Sequence, residues 1–172
     1  MREWIPIPGT AKARLVDAAI RQFGVKGFDG VNVVELAAEA GVTTGSLYHH
    51  FTSKLGLYLL VRDEMEKRMV ERMEGAAAAV GGKGRPAVGA ALLVSFDAAV
   101  RFGVTRVLSE RRPDDAPDAI EGVLRGLLPR AVRAAAAMLA AGWRGALAAV
   151  ADGTSPAAAR AGLAWLLEGD GG

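Results

Sequence analysis

Cysteine is absent from the 172-residue sequence, and histidine occurs only as the adjacent pair His49 and His50. Without cysteine the chain can form no disulfide, thiol nucleophile or cysteine-based zinc site. Two neighbouring histidines on a helix project about 100° apart, which disfavours a shared metal ion. The sequence also lacks a glycine-rich phosphate loop after a strand and a carboxylate cluster with metal-ligand spacing. We therefore expect no metal, no cofactor and no enzymatic activity.

Long apolar runs are scarce as well. The N-terminal residues MREWIPIPGT contain no run of signal-peptide length, and their two prolines would interrupt a helix. Residues 131–151 are the most hydrophobic stretch, but they are mostly alanine and carry Arg133 and Arg144, whereas a membrane span needs roughly 20 strongly apolar residues. We expect a cytoplasmic protein with no membrane contact, a buried helix over 131–151 and disorder around Trp4.

The sequence has no strong excess of positive charge. The formal net charge is +2, and residues 1–54 contain six Lys or Arg against five Asp or Glu. A balance of this kind does not by itself identify a nucleic-acid-binding protein. A DNA-binding function would have to depend on local geometry.

Apolar residues recur at spacings of three and four throughout the chain, and this periodicity predicts an all-α protein. A first helix is expected from the N-cap Thr10 to about Lys26, with Gly27 ending it in the left-handed conformation. A second helix begins at Asn32 and stops at Gly41.

Further helices follow at regular intervals. Thr43 can cap a short third helix that ends near Phe51, and Ser53 can cap a long fourth helix that continues to about Glu74. Gly75 and the glycines at 81–84 indicate a loop. Later helices are expected over about 86–104, from Pro117 in a first turn, and from Pro129, which either starts or kinks the helix, to about Val150. A last helix is expected over about 157–168, after a start at Ser155-Pro156.

Residues 33–52 have the spacing of a helix-turn-helix. This motif needs a small residue where the helices cross and a residue that tolerates positive φ in the turn, and Ala37 and Gly41 supply them. The apolar residues that would lock the two helices together are Leu36, Ala40, Val42 and Leu47. The third helix then becomes a recognition helix for the major groove of DNA.

The side chains of this third helix divide into two faces. Leu47 and Phe51 face inward, and we expect His50 to be partly buried near them. The outward groups offer hydroxyls, a phenol, an imidazole and a position without a side chain, and an ammonium follows at the start of the next helix. The predicted DNA contacts are Thr43, Thr44, Gly45, Ser46, Tyr48, His49 and Lys54.

The stretch VVELAAEAGVTTGSLYHHFTSKLGL resembles the DNA-binding domain of the tetracycline-repressor-like (TetR) family. The matching positions are Ala37, Gly41, Thr43, Gly45, Leu47, Tyr48, Phe51, Ser53 and Lys54. The resemblance spans residues 10–56. It departs from the family at Thr44, where many members carry Lys or Arg, and at Gly56, where an acid often completes a capping box. The last helix is also shorter than is usual.

The resemblance implies an architecture and a set of partners. A three-helix helix-turn-helix domain over 1–54 would be joined by a long helix to a helical effector-binding and dimerisation domain over 55–172. The recognition helix and the starts of the first, second and fourth helices would touch DNA. The glycine at position 56 is expected to weaken the start of the fourth helix by up to about 1 kcal/mol.

The C-terminal part offers candidates for an effector pocket and a dimer interface. The methionine stripe of the fourth helix is either plain core or a soft wall for an apolar effector. The candidate pocket residues are Met65, Met69, Met73, Phe96, Phe102, Met138 and Trp143. Apolar residues on several faces of the last two helices favour a two-fold interface there. These residues are Ala146, Leu147, Val150, Leu163, Trp165, Leu166 and Leu167.

The sequence therefore favours a homodimeric, ligand-responsive regulator, and a repressor before an activator. Its partners would be double-stranded DNA with a palindromic operator, a second copy of the chain and a small-molecule effector of unknown identity. The alternative is a helical carrier of small molecules, or an adaptor, without DNA binding. That alternative needs the C-terminal core but neither Tyr48 nor Lys54.

Overall fold

The structure is a computed structural model that describes residues 9–168, and the segment around Trp4 lies outside them. Within the described residues the chain forms nine α-helices, one 3₁₀ turn and no strand, which confirms the all-α fold. The elements are α1 (Ala11–Gly30), α2 (Val33–Glu39), α3 (Thr44–Phe51), α4 (Lys54–Ala79), α5 (Gly84–Arg101), α6 (Thr105–Ser109), α7 (Ala119–Leu127), the 3₁₀ turn (Arg130–Val132), α8 (Ala135–Ala151) and α9 (Pro156–Leu167).

Five of the helix starts are confirmed by their capping bonds. A side-chain oxygen at each start accepts a hydrogen bond from a backbone N–H two or three residues later, which satisfies one of the otherwise unpaired donors of the first turn. The capping residues are Thr10, Asn32, Thr43, Ser53 and Ser155. Local sequence therefore predicts where these helices begin.

Several helix ends differ from expectation. Gly75 does not end α4, which continues to Ala79 because Met73 and Ala77 on either side of it are buried against the body. One interior glycine costs only about 1 kcal/mol, and this packing outweighs it. At Gly27 φ is positive as predicted, at +71°, but ψ of −175° is not left-handed helical, and a further helical turn follows to Gly30.

The helix expected over about 86–104 is present as α5 but ends earlier, and the short helix that follows it is not predicted. Helix α5 ends at Arg101, Gly103 turns the chain with φ of +67°, and α6 follows as a separate five-residue helix. Pro117 is not in a first turn, because Asp118 caps α7 and the proline precedes the cap. Pro129 begins the 3₁₀ turn and not α8.

A continuous apolar core runs through the described residues. The first three helices enclose Leu15, Phe23, Leu36 and Leu47, each at most 1% exposed. Helix α4 contacts α1 and α3 at one end and packs along α5 further on, so it joins the N-terminal helices to the C-terminal body. None of the described helices is long and apolar enough to cross a membrane.

Gly56, in the first turn of α4, has a role that the sequence does not reveal. A Cβ atom at this position would lie 2.4 Å from the backbone carbonyl oxygen of Phe51. Between the two helices Thr52 adopts a positive φ of +66°, and the N–H of Ser53 donates to the same Phe51 carbonyl at 2.7 Å. The corner from α3 to α4 is therefore tight enough to require a residue without a side chain.

We expect opposite effects from two glycine-to-alanine substitutions within α4. Gly56→Ala should lower the free energy of unfolding by about 1–3 kcal/mol, because its methyl group must displace the Phe51 carbonyl. Gly75→Ala is the matched control, since no atom beyond its chain neighbours and the backbone of its own helix lies within 4 Å of its Cβ position. It should raise stability by up to about 1 kcal/mol through helix propensity. Urea unfolding measures both, and a stabilising Gly56→Ala would contradict the close contact.

Candidate nucleic-acid interface

The corner between α2 and α3 is built around Gly41. This residue has φ of +64°, and its N–H donates to the carbonyl of Ala38 while the N–H of Val42 donates to the carbonyl of Ala37, both at 3.0 Å. These two bonds satisfy carbonyls at the end of α2, as in a common helix-terminating motif. The sharp helix-turn-helix corner predicted at Gly41 is confirmed.

Helix α3 starts directly after this corner. The hydroxyl of Thr43 accepts a hydrogen bond from the N–H of Ser46 at 3.2 Å, which fixes the first turn. Leu47 is fully buried and Phe51 is 7% exposed, so the inward face is as predicted. Half of Tyr48 is exposed, and Thr44 and Ser46 are partly exposed. Nothing but the Thr43 hydroxyl approaches the Cβ position of Gly45, at 3.7 Å, so this position is open.

The two histidines lie together at the C-terminal end of α3. Both are exposed, and their ring centroids are 5.2 Å apart in an edge-on arrangement. The expectation that His50 is partly buried is wrong. Although it follows Leu47 by three residues, its ring faces an open groove of about 820 Å³ between α3 and α4. Among the described residues no group of three possible metal ligands is present.

Cations of α1 hold α2 in place. The guanidinium of Arg14 donates to the carbonyl of Ala40 at 2.9 Å and to that of Gly9 at 2.8 Å. Arg21 donates to the carboxylate of Glu39 at 2.8 Å, and Gln22 also donates to it. These two hydrogen bonds, of which that from Gln22 has the larger effect, lower the pKa of the Glu39 carboxyl. These bonds orient α2, and through it α3, on the scaffold of α1.

The ammonium of Lys54 is turned towards the end of α1. Its Nζ atom lies 3.5 Å from the carbonyl oxygen of Asp29 and 4.6 Å from the ring centroid of Phe28. Lys12 lines the same groove as His50 but is not among the predicted DNA contacts. The sequence signal for it is its position in the first turn of α1, because the start of the first helix is expected to touch DNA.

The candidate effector residues are mostly part of the closed core. Five of them are at most 1% exposed, and Phe102 is partly buried. Met138 differs, because 71% of it is exposed. None of the seven lines the groove beside His50 or a second groove of about 480 Å³ in front of Arg112. The buried Nε1 of Trp143 has no hydrogen-bond partner among the described residues.

Comparison with known proteins agrees with this geometry. Residues 15–61 match the family model described as bacterial regulatory proteins, tetR family. The N-terminal residues of the chain are therefore similar to the DNA-binding domain of this family. RaaS of Mycobacterium tuberculosis, an HTH-type transcriptional regulatory protein, is 52% identical over 48 residues, which are 28% of this chain and 22% of RaaS. IcaR of Staphylococcus aureus, a negative regulator of a biofilm operon, is 38% identical over 47 residues, 27% of this chain and 25% of IcaR.

The matched segments span only about a quarter of these curated relatives. A solved structure extends the likeness to the whole fold: the transcriptional regulator FadR of Bacillus subtilis, in complex with stearoyl-CoA, aligns with a TM-score of 0.67. The alignment covers 91% of this chain and 97% of that one at 17% identity, so it shows the fold alone. The matching proteins are regulators of a family that is not enzymatic.

The N-cap of α3 gives a stability prediction. Thr43→Ala removes the acceptor for the Ser46 N–H and should lower the free energy of unfolding by about 0.5–2 kcal/mol. Thr43→Ser keeps the hydroxyl and should lose much less. Urea unfolding followed by circular dichroism measures the difference, and equal stability of the two variants would contradict the capping role.

Proposed function

We propose that this chain is a homodimeric, ligand-responsive transcriptional repressor that binds a palindromic operator. Residues 1–54 would form the DNA-binding domain, and residues 55–172 the effector-binding and dimerisation domain. The proposal depends on one observation about α3, the helix that follows the helix-turn-helix corner. This helix buries Leu47 and Phe51 and leaves Tyr48 and His49 exposed. Its place of action would be the cytoplasm, where the DNA is.

The proposed DNA contacts follow from the exposed face of α3. Tyr48 would donate its phenol to a phosphate, and His49 would bond a base edge or a phosphate. The hydroxyls of Thr44 and Ser46 and the open position at Gly45 would allow close approach to the groove. Thr43 already accepts a bond within the helix, and its hydroxyl can still donate. Lys54 would turn from the Asp29 carbonyl towards a phosphate.

The proposed dimer interface lies on α8 and α9. Trp165 and Leu166 are 73% and 60% exposed, and Met138 is 71% exposed, so these large apolar side chains lack a cover in one protomer. Leu147 and Leu163, predicted for the same interface, are buried within the protomer instead, because α8 and α9 pack against the body through them. We therefore assign Met138 to this exposed face and not to the effector pocket.

The proposed effector site is in the C-terminal body. Met65, Met69 and Met73 are packed in the core, so an effector would enter by displacing their flexible side chains, and the unpartnered Nε1 of Trp143 would donate to an acceptor on it. Support comes from FadR, whose structure holds stearoyl-CoA, and from IcaR, which is a negative regulator. An effector would release DNA by binding better to a dimer whose recognition helices are wrongly spaced.

Selection from a random pool of DNA duplexes tests the proposal directly. We expect the full chain to enrich an inverted repeat whose half-site centres lie about 34–36 Å apart, one helical turn of DNA, because a two-fold dimer presents two copies of α3. Failure to enrich any sequence would contradict the proposed function and favour the carrier or adaptor.

Two substitutions test the DNA-contacting face. Lys54→Ala should weaken binding to all duplexes and reduce the slope of log affinity against log salt by about 1, because one phosphate contact is lost. Tyr48→Phe should weaken binding by roughly threefold to tenfold through one lost hydrogen bond. Fluorescence anisotropy at several salt concentrations measures both effects.

The matched control for the lysine is Lys83→Ala. Lys83 is exposed and directly precedes α5, so the 26 residues of α4 separate it from Lys54, roughly 40 Å along the helix axis. The control should leave affinity and salt slope unchanged. If Lys54→Ala and Tyr48→Phe behaved like the control, this face would not contact DNA.

A further inference from the structure

Helix α6 is the shortest α-helix described, yet other helices hold it on several sides. It comprises only Thr105–Ser109, and Val104, Val107 and Leu108 are at most 1% exposed. It contacts α1 of the N-terminal domain, α4, and α8 of the C-terminal body. This position makes it a second connection between the two parts of the chain, besides α4.

Two glycines of α1 admit the two ends of the α6 segment. A Cβ atom on Gly24 would lie 2.0 Å from the carbonyl oxygen of Gly103, which precedes α6. A Cβ atom on Gly27 would lie 2.0 Å from Oε1 of Glu110, which follows α6. The glycines are three residues apart, so they lie on the same side of α1. Side chains at either position would push α6 away from α1.

The Glu110 carboxylate enters the break that Gly27 makes in α1. Its Oε2 atom accepts hydrogen bonds from the N–H of Phe28 at 3.2 Å and from the phenol of Tyr58 at 3.0 Å. Burial raises the pKa of Tyr58 to about 12, so the phenol keeps its proton and donates. One oxygen of Glu110 thus binds the backbone of α1 and a side chain of α4 together.

The other sides of α6 are tied to α4 and α8. Arg62, which is 1% exposed, donates to the carbonyl of Val107 at 2.8 Å and pairs with Glu66 at 2.9 Å. Arg106 donates to the carbonyl of Ala151 at the end of α8, at 2.7 Å. A displacement of α8 can therefore reach α1 through α6 without passing along α4.

We propose that Glu110 is a positioning residue for the DNA-binding domain. Seated on Gly27, it makes α6 a strut that fixes the angle between α1–α3 and the body that carries α8 and α9. One connecting helix leaves the domain free to swing about that helix, and a second attachment removes this freedom. In the dimer the strut would set the distance and rotation between the two α3 helices. This inference rests on the proposed function.

The readout is the dependence of affinity on half-site spacing. The selected half-site is placed as an inverted repeat at spacings changed by one, two and three base pairs, each step rotating one half-site by about 36°. We expect the wild-type chain to lose roughly tenfold or more in affinity away from its preferred spacing, as a rigid dimer loses contacts at one half-site. Glu110→Ala should reduce that loss to about threefold or less.

Two variants serve as controls. Glu110→Gln keeps an oxygen that can accept from both Phe28 and Tyr58, and it should keep the wild-type profile. Asp97→Asn removes a carboxylate charge from the exposed pair with Arg160, which joins α5 to α9 and does not involve α1 or α6, and it should also keep the wild-type profile. If Glu110→Ala does not fold by circular dichroism, Tyr58→Phe replaces it. That variant keeps the ring and removes one donor, and it should broaden the profile.

The outcomes separate this inference from the proposed function. A wild-type chain that binds no duplex overturns both. A wild-type chain with a sharp spacing profile, together with the same profile in the folded Glu110→Ala or Tyr58→Phe variant, overturns the inference and leaves the function standing. Equal broadening by Asp97→Asn would also overturn it, because the effect would then not depend on the contact with α1.

Discussion

The left-handed corner at Gly41 is the constraint on which the candidate interface depends. It directs α3 away from α2 while Leu36 and Leu47 remain in one core, and the burial of Leu47 and Phe51 then determines which side chains face outward. Tyr48 and His49 are exposed because of this rotation and not because of any local attraction to solvent. A residue with a Cβ at position 41 would have room but would be strained, since L-residues rarely adopt positive φ.

The glycines show which structural features can be predicted from the sequence alone and which cannot. Gly41 and Gly27 were predicted to adopt positive φ because a helix stops locally, and such signals lie within a few residues of the glycine. Gly24 and Gly56 are needed for another reason, since a backbone carbonyl occupies the place of their Cβ atoms. For Gly24 that carbonyl belongs to Gly103, 79 residues away in sequence. No local pattern can predict such a contact, because it exists only after the body has folded.

The C-terminal body was predictable in its helical character and less so in its detail. Capping residues give helix starts, but α4 continues past Gly75 because tertiary packing of Met73 and Ala77 outweighs a propensity. Periodicity likewise identifies an apolar stripe on a helix, but it does not show whether that stripe contacts core side chains, a ligand or solvent. The stripe at Met65 and Met69 faces other side chains of the core, whereas Met138, chosen by residue type, is on the outer surface.

The small number of free cations in the N-terminal domain links the candidate interface to the rigidity of the molecule. Arg14, Arg21 and Lys26 are engaged with carbonyls or carboxylates of their own domain, so the domain offers few cations to phosphates. A single copy of α3 that relies on hydroxyl, phenol and imidazole groups would bind weakly. Two linked copies bind much more tightly, but only if the linkage holds them at the separation of the half-sites. A DNA-binding domain with few free cations therefore requires a fixed position in the dimer. A second attachment through α6 would provide that fixed position.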